Sequence, residues 1–371
     1  MSRINDLIAE YCPNGVEYRE LAELVDYQQP SPYIVSSTNY DDSFSLPVLT
    51  AGQSFILGYS DDDQGIFYAS AERPVIIFDD FTTSFHWVDF DFKVKSSAIK
   101  MLRIKPDVDC SFRYVYYAMS CIQYVPKEHS RQWISIYSTF KIPVPPLPVQ
   151  EEIVRILDSF SSLEAELEAE LEARRKQYTH YRDELLKFER ERVLIASLGE
   201  LCKISVGRKN GTAGEFGEYP YVNAGTSMSG FVNEWSEEGD CVTTPSRGQG
   251  GMGFVAYQAS RFWCGPLCYV MRSKHSDVMI KYVYYYLCSH KADILGLVHE
   301  GGTPAINKSE LAGLRILVPP FEEQRRIVSI LDRFDKLTND LSSGLPAEIE
   351  ARRKQYEYYR DRLLSFDELA V

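Results

Sequence analysis

The chain has 371 residues and a mass of 42.5 kDa, enough for two or three domains, and its 44% hydrophobic content is that of an ordinary globular protein. A run of about eighteen apolar residues is missing, and the opening MSRINDLIAEY alternates charged with apolar positions; both features argue against a membrane span or signal peptide and for a cytoplasmic location. The formal net charge of −13 speaks against a uniformly basic nucleic-acid surface, although much of the excess sits in runs such as Asp61-Asp62-Asp63 and the Glu164, Glu166, Glu168, Glu170, Glu172 series, so a local basic or polar face stays open.

In chain order, the first 145 residues hold short β-rich runs punctuated by Gly, Pro, Ser and Asn: LPVLTAGQSF at 46–55, ERPVIIFDDF at 72–81 and FKVKSSAIKML at 92–102. FRYVYYAMSC at 112–121 admits helix or strand, and a helix packed on a sheet is the expectation. PPLPVQEEIVRILDSF at 145–160 then opens a long helical pattern. Ile153, Ile156, Leu157, Phe160, Leu163, Leu167, Leu171, Tyr178, Tyr181, Leu185 and Phe188 recur at steps of three and four, among strong helix formers.

The second half repeats this order. LGELC at 198–202 faces LAELV at 21–25, YPYVNAGTSM at 219–228 faces LPVLTAGQSF, and IKYVYYYLCS at 280–289 faces FRYVYYAMSC. PPFEEQRRIVSILDRF at 319–334 aligns without a gap on the earlier Pro-Pro segment. The heptapeptide EARRKQY occurs at 172–178 and again at 350–356, followed by YRDELL and YRDRLL. The second copy carries the seam Ile327, Ile330, Leu331, Phe334, Leu337, Leu341, Ile349, Tyr356, Tyr359, Leu363 and Phe366. It is four residues longer, around Ser343-Gly344-Leu345-Pro346, and a kink is expected at Gly344 and Pro346. About forty residues at 1.5 Å per residue make a rod of ~60 Å, whose stripe the other copy can cover. The expected fold is α+β: two globular modules joined by two long antiparallel coiled-coil helices with an internal pseudo-twofold repeat. The expected boundaries are 1–145 and 191–318 for the modules and 146–190 and 319–371 for the helices.

No catalytic pattern stands out. GQGGMG at 248–253 fits the dinucleotide fingerprint but runs into the strand-like FVAY, so no helix N-terminus would meet a pyrophosphate. The doublet Asp79-Asp80 invites a metal-dependent nuclease reading, yet no nearby E-x-K or D-x-K completes it. The eight cysteines show no metal-ligand spacing and read as thiols of a reducing compartment.

Two variable modules, each followed by a near-identical helix carrying the Pro-Pro, ILDSF/ILDRF and EARRKQY segments, resemble the specificity subunit of Type I DNA restriction-modification systems across the whole chain. The resemblance implies a non-catalytic subunit whose modules are target recognition domains, each reading one half of a bipartite, asymmetric double-stranded DNA target. It implies helices that set the spacer and dock two modification (methyltransferase) subunits, with restriction (translocase/nuclease) subunits joining them to methylate or cut. S-adenosylmethionine, ATP and Mg belong to those partners, and no cofactor or metal is expected in this chain.

Candidates for DNA contact are the polar, aromatic and basic loop residues Thr82, Thr83, Ser84, His86, Trp87, Lys93, Lys95, Ser96, Ser130, Arg131, Gln132 and Trp133. In the second module they are Ser246, Arg247, Gln249, Gly301, Gly302, Thr303, Asn307 and Lys308. For partner docking the helices offer Ile153, Leu157, Arg174, Arg175, Tyr178, Ile327, Leu331, Arg352, Arg353 and Tyr356. A non-enzymatic coiled-coil scaffold that only assembles proteins is the competing reading. Inserting one helical turn in the first helix is expected to change the preferred gap between half-sites, measured by mapping methylated bases.

Overall fold

The computed structural model describes residues 2–52, 54–189, 193–209, 213–299, 301–340 and 342–369, so Gln53 and Leu341, both within the patterns above, lie outside the described residues. The chain divides into two compact units, Met1–Glu166 with Glu350–Val371 (unit 1) and Leu167–Ile349 (unit 2). The division falls inside the long helices, so each unit contains one module and a part of both helical copies.

Unit 1 begins with α1 (Ser2–Tyr11), β1 (Glu17–Glu20), the single-turn α2 (Leu21–Leu24) and β2 (Val25–Gln28). There follow β3 (Leu46–Leu49), β4 (Ile56–Ser60), β5 (Val75–Asp79), β6 (Phe85–Val88), β7 (Lys93–Val94), β8 (Ile99–Ile104), α3 (Phe112–Met119) and β9 (Lys141–Val144). α4 (Leu147–Leu185) is the first long helix. Unit 2 continues with β10 (Leu194–Ser197), α5 (Leu198–Leu201), β11 (Cys202–Val206), β12 (Tyr219–Val222), β13 (Phe231–Val232), β14 (Cys241–Pro245), β15 (Ala256–Gln258), β16 (Trp263–Cys264) and β17 (Cys268–Ser273). Then come α6 (Ile280–Ser289), α7 (Lys291–Leu295), α8 (Lys308–Gly313), β18 (Arg315–Val318), α9 (Phe321–Asn339) and α10 (Leu345–Leu363), the last entering unit 1.

The sheets repeat strand for strand. Unit 1 has sheets ordered β2-β8-β5-β6, β4-β3-β7 and β1-β9; unit 2 has β11-β17-β14-β15, β13-β12-β16 and β10-β18. In each four-stranded sheet the strands are antiparallel, and in each three-stranded sheet one parallel pair, β3 with β7 or β12 with β16, carries the chain across. α3 and α6, the segments that admitted helix or strand, are helices whose tyrosines Tyr114, Tyr117, Tyr282 and Tyr285 are fully buried.

The same polar clasps join each module to its helix. The Gln150 side-chain carbonyl accepts the Ser111 N–H (2.8 Å), and its amide donates to the Pro145 carbonyl (2.7 Å). Gln324 accepts the Met279 N–H (2.9 Å) and donates to the Pro319 carbonyl (2.9 Å). Asp158 takes Arg113 and the Tyr117 hydroxyl, as Asp332 takes Lys281 and the Tyr285 hydroxyl. Burial and the neighbouring carboxylate push the Tyr117 hydroxyl up to about 12, so it donates throughout the ordinary pH range. Tyr114 and Tyr282 donate to the carbonyls of Pro143 and Leu317 in the last strand of each module.

Within each unit the helical segments run antiparallel. In unit 1 the Phe160 ring lies 5.5 Å from that of Tyr359 and Glu164 pairs with Arg353, so numbers rise on α4 as they fall on α10. The matching contact in unit 2 is Phe334 on Tyr181, at 5.7 Å. The second copy is fully interrupted: α9 stops at Asn339 and α10 starts at Leu345. A Cβ on Gly344 would stand 2.6 Å from the Lys336 carbonyl oxygen, so only glycine fits the turn, and Pro346 sits in the first turn of α10, where no donor is needed. No helix among the described residues is long and apolar enough to cross a membrane, and the eight cysteines are free thiols.

Gln324 is 1% exposed, and its removal strands the Met279 N–H and the Pro319 carbonyl. Gln324→Ala is expected to cost about 2–4 kcal/mol of unit 2 stability, read as a lower denaturant midpoint with faster hydrogen exchange at the Met279 amide.

Candidate nucleic-acid interface

In unit 1 the chain leaves the central strand β5 at Asp79 and turns sharply. Asp79 Oδ1 accepts the N–H groups of Phe81 and Thr82, both at 2.9 Å, and Thr83 takes the left-handed conformation with φ +62. Asp80 points the other way, into the protein, and is 1% exposed. Its Oδ1 accepts the N–H groups of Gln132 (3.1 Å) and Trp133 (2.8 Å); Oδ2 lies 3.3 Å from Lys100 Nζ and 3.4 Å from Arg131. The backbone adds Gln132 N–H to the Asp80 carbonyl at 2.8 Å. A loop whose Gln132 and Trp133 lie 52 and 53 residues downstream of Asp80 is thereby fastened to the end of β5. Gln132 ties it internally, taking the Tyr124 hydroxyl and donating to the Ser130 carbonyl, while Trp133 plugs in against Phe78. Thr82, His129, Ser130 and Arg131 remain exposed, with the His129 ring stacked on Phe81 at 4.6 Å.

Unit 2 builds the same pair of loops with different chemistry. Ser246 follows the central strand β14, and its carbonyl accepts the Ile306 N–H at 2.9 Å, the bond made in unit 1 by Asp80 and Gln132. Gly248 N–H donates to the Pro304 carbonyl, Arg247 stands across from Ala305, and the buried charge hub is replaced by a neutral anchor, the Tyr269 hydroxyl on the Ile306 carbonyl at 3.0 Å. Arg247, Gln249, Gly301, Gly302, Thr303, Asn307 and Lys308 are exposed. Arg247 has no ion pair among the described residues. A Cβ on Gly251 would stand 2.0 Å from the Ala224 carbonyl oxygen, so the fold itself demands that glycine. At Gly301 and Gly302 a Cβ would meet nothing within 4 Å, and the fold imposes no such demand.

Two groups of sequence candidates are thus brought together: Thr82, Thr83 and Ser84 with Ser130 to Trp133, and Ser246, Arg247 and Gln249 with Thr303 and Asn307. Others are placed elsewhere. Lys93 is buried, its ammonium 2.8 Å from Asp62 and 2.7 Å from the Gln64 carbonyl, and this pairing lowers the Asp62 carboxyl to about 2. Gln132, Trp133 and Thr83 are buried and hold the loop from inside. Trp87 is half-buried under the Arg113 guanidinium (4.7 Å) and against Phe112, joining sheet to α3; Tyr257 and Lys281 repeat this in unit 2. His86 hydrogen-bonds the Gly52 carbonyl and packs on Phe55. Lys95 and Ser96 are exposed, Lys95 donating to the Tyr40 hydroxyl. Phe81 and His129 were absent from the sequence candidates, since only the Asp80 clasp brings them together.

On the helices, Ile153, Leu157, Ile327 and Leu331 are fully buried in the core of their own unit, each such burial stabilising by about 1.5–3 kcal/mol. That is a correction: they fix helix to module and offer no docking surface. Tyr178 packs on Phe334, Tyr356 on the unit 1 core, and Arg353 on Glu164. Arg174 and Arg352 each bond the glutamine three residues on (Gln177, Gln355), the same contact in both copies, and Arg175 is exposed. The doublet that invited a nuclease reading is engaged on both sides, Asp79 by the backbone of its own turn and the buried Asp80 by Lys100 and the loop at 132–133.

The family model described as Type I restriction modification DNA specificity domain matches twice, over residues 13–173 and 192–351, one match per repeat. The Type I restriction enzyme EcoR124I/EcoR124II specificity subunit of Escherichia coli is 40% identical, over 95% of this chain and 94% of its own length. The Type I restriction enzyme MpnII specificity subunit of Mycoplasma pneumoniae is 32% identical over 52% of this chain and 62% of its own. The crystal structure of the Type I restriction-modification S subunit from M. genitalium superposes with a TM-score of 0.66 at 17% identity, over 94% of this chain and 96% of that one. Twin modules, twin clasped helices and a twice-matching domain together establish that the chain belongs to the family of Type I restriction-modification DNA specificity subunits.

Proposed function

We propose that each unit reads one half of a bipartite, asymmetric DNA target through its loop pair, 80–84 with 128–133 and 246–251 with 301–307. In this reading 1–145 and 191–318 are the target recognition domains, and the helical segments 146–190 and 319–371 set the spacer. Two modification subunits dock on the helices, restriction subunits join them, and S-adenosylmethionine, ATP and Mg act on those partners. The observation that carries the reading is a backbone bond made identically in both units, Gln132 to Asp80 and Ile306 to Ser246, with unlike side chains displayed around it. A constant frame with a variable exposed surface is what reading two different half-sites requires.

Arg247 is an exposed guanidinium of unit 2 with no ion pair among the described residues, suited to the O6 and N7 of a guanine in the major groove. Gly301 and Gly302, free of any demand from the fold, let backbone N–H groups approach a phosphate. In unit 1 Arg131 and the His129–Phe81 stack occupy the corresponding place.

Mapping methylated bases in cells with and without the gene is expected to show loss of one bipartite motif, and an unchanged pattern would refute the reading. Exchanging residues 1–145 for those of another family member should alter one half-site only. Arg247→Ala is expected to relax one position of the other half-site, a loss of about 1–3 kcal/mol of discrimination, read from binding of the assembled complex to single-base variants of the target.

A further inference from the structure

The sheets of the two units match strand for strand, yet a space that unit 1 fills stands open in unit 2. The strand registers set Ile77, His86 and Val88 of unit 1 at the positions of Thr243, Ala256 and Gln258. The segments LPVLTAGQSF and YPYVNAGTSM set Leu49 and Phe55 at the positions of Val222 and Met228. In unit 1 Leu49, Ile77 and Val88 are fully buried with Phe55 packed against them. The His86 ring closes the remaining gap, 4.6 Å from Phe55 and hydrogen-bonded to the Gly52 carbonyl.

Unit 2 gives up this packing. Alanine stands for the histidine and methionine for the phenylalanine, while threonine and glutamine replace isoleucine and valine. A cavity of 270 Å³ is left, lined by Val222, Asn223, Met228, Thr243, Phe254 and Gln258 among others. Less apolar surface is buried there, which costs stability, and the cavity carries hydrogen-bonding groups in its place. Thr243, 2% exposed, donates to the Ala256 carbonyl (3.4 Å) and accepts the Gln258 amide (3.0 Å). The Gln258 side-chain carbonyl is left with no bond among the described residues. Asn223 is held the other way round: its carbonyl accepts the Leu267 N–H at 2.9 Å, and its amide nitrogen has no bond among the described residues.

One acceptor and one donor, each anchored by its other end, thus share a cavity with the apolar Val222, Pro245 and Phe254. No charged residue is among the lining residues, so a phosphate, carboxylate or metal ion would find no counter-charge. The volume lies just below the about 300–1,000 Å³ of sites for drug-sized ligands, which favours a single small ring system. Met228, 54% exposed, marks where the cavity meets solvent, and the loop that carries it lies beside the reading loop 246–251. A Cβ on Gly251 would stand 2.0 Å from the Ala224 carbonyl oxygen and 3.3 Å from the Pro245 ring.

We propose that this cavity of unit 2 is a receptor for one nucleobase, whose hydrogen-bonding edge meets Asn223 and Gln258 and whose flat faces meet the apolar walls. A base carries donors and acceptors on one edge and no charge, and proteins that take a base out of its stack hold it by these two kinds of contact. The base is supplied either by a free nucleoside or by an unstacked position of bound DNA. The second source rests on the reading that loop 246–251 faces DNA; the cavity goes beyond that reading, because unit 1 has no such receptor.

The test uses the full-length chain. Saturation-transfer NMR with the four deoxynucleosides is expected to show transfer to the base protons of at least one, and none to deoxyribose 5-phosphate. Met228→Phe/Ala256→His installs the filling that unit 1 already carries; it is expected to melt at or above the wild-type temperature and to lose the signal. Gln258→Val, again the unit 1 residue, leaves the cavity open and weakens binding about fivefold. Duplexes that differ only in one unpaired base distinguish the sources by fluorescence anisotropy. A preference for the unpaired base that the filled variant abolishes assigns the cavity to DNA, and nucleoside binding without that preference assigns it to the free ligand. Absence of both, binding that neither variant changes, or equal binding of deoxyribose 5-phosphate overturns the proposal. Loss of a bipartite methylation motif in cells lacking the gene, together with no base binding, overturns this inference and leaves the half-site reading intact.

Discussion

The ring of Phe160 lies on that of Tyr359 in unit 1, and the ring of Phe334 lies on that of Tyr181 in unit 2. They are one contact made twice, and each needs the first half of one helical copy and the second half of the other. The constraint behind it is burial. A helix with an apolar stripe tens of ångströms long is unstable in water alone, and one module covers only the first few turns of that stripe, at Ile153 and Leu157 or Ile327 and Leu331. The remaining length is closed by the other copy. Doubling of EARRKQY follows, because Tyr178 and Tyr356 lie in the half that must be supplied to the opposite unit.

Around this constraint the molecule separates what is fixed from what varies. Gln150 and Gln324, and Asp158 and Asp332, make the same bonds to equivalent partners between module and helix, and Tyr114 and Tyr282 make the same bond to the last strand of each module. The loop pairs farther out share only backbone bonds. One is secured by a buried Asp80–Lys100 pair, the other by Ser246 and the Tyr269 hydroxyl. A buried ion pair contributes little net stability over a neutral replacement of similar size, so such an exchange leaves the frame standing while the exposed residues change.

The long helices and the duplication are legible in the sequence because both are local patterns: steps of three and four residues, and segments repeated almost letter for letter. Gly344 and Pro346 likewise mark the interruption, where α9 stops at Asn339 and α10 starts at Leu345. The interior of the modules was hidden. Strands of two to six residues pair across tens of positions, as β3 does with β7, and no short-range periodicity announces that. The site was half legible for the same reason. Arg131, Arg247 and the Gly301-Gly302 pair stand out by residue type, whereas Lys93 looks like a surface cation until Asp62 is found beside it. Trp87 looks like a base-stacking ring until Arg113 covers it, and His129 acquires its place only through Asp80, the carboxylate that fastens the downstream loop.

The acidic balance of the chain does not conflict with reading DNA, because affinity depends on which cations reach phosphates and not on the sum over the surface. Much of the excess acid lies along α4, where Glu164 pairs with Arg353, Glu170 with Arg174 and Glu172 with Lys176. These carboxylates belong to the helical frame, away in sequence from the loops that display Arg131, Arg247 and Lys308. In the reading proposed above, the few cations on each loop pair give counterion release a modest share of the binding free energy, and direct contacts carry proportionately more of the discrimination.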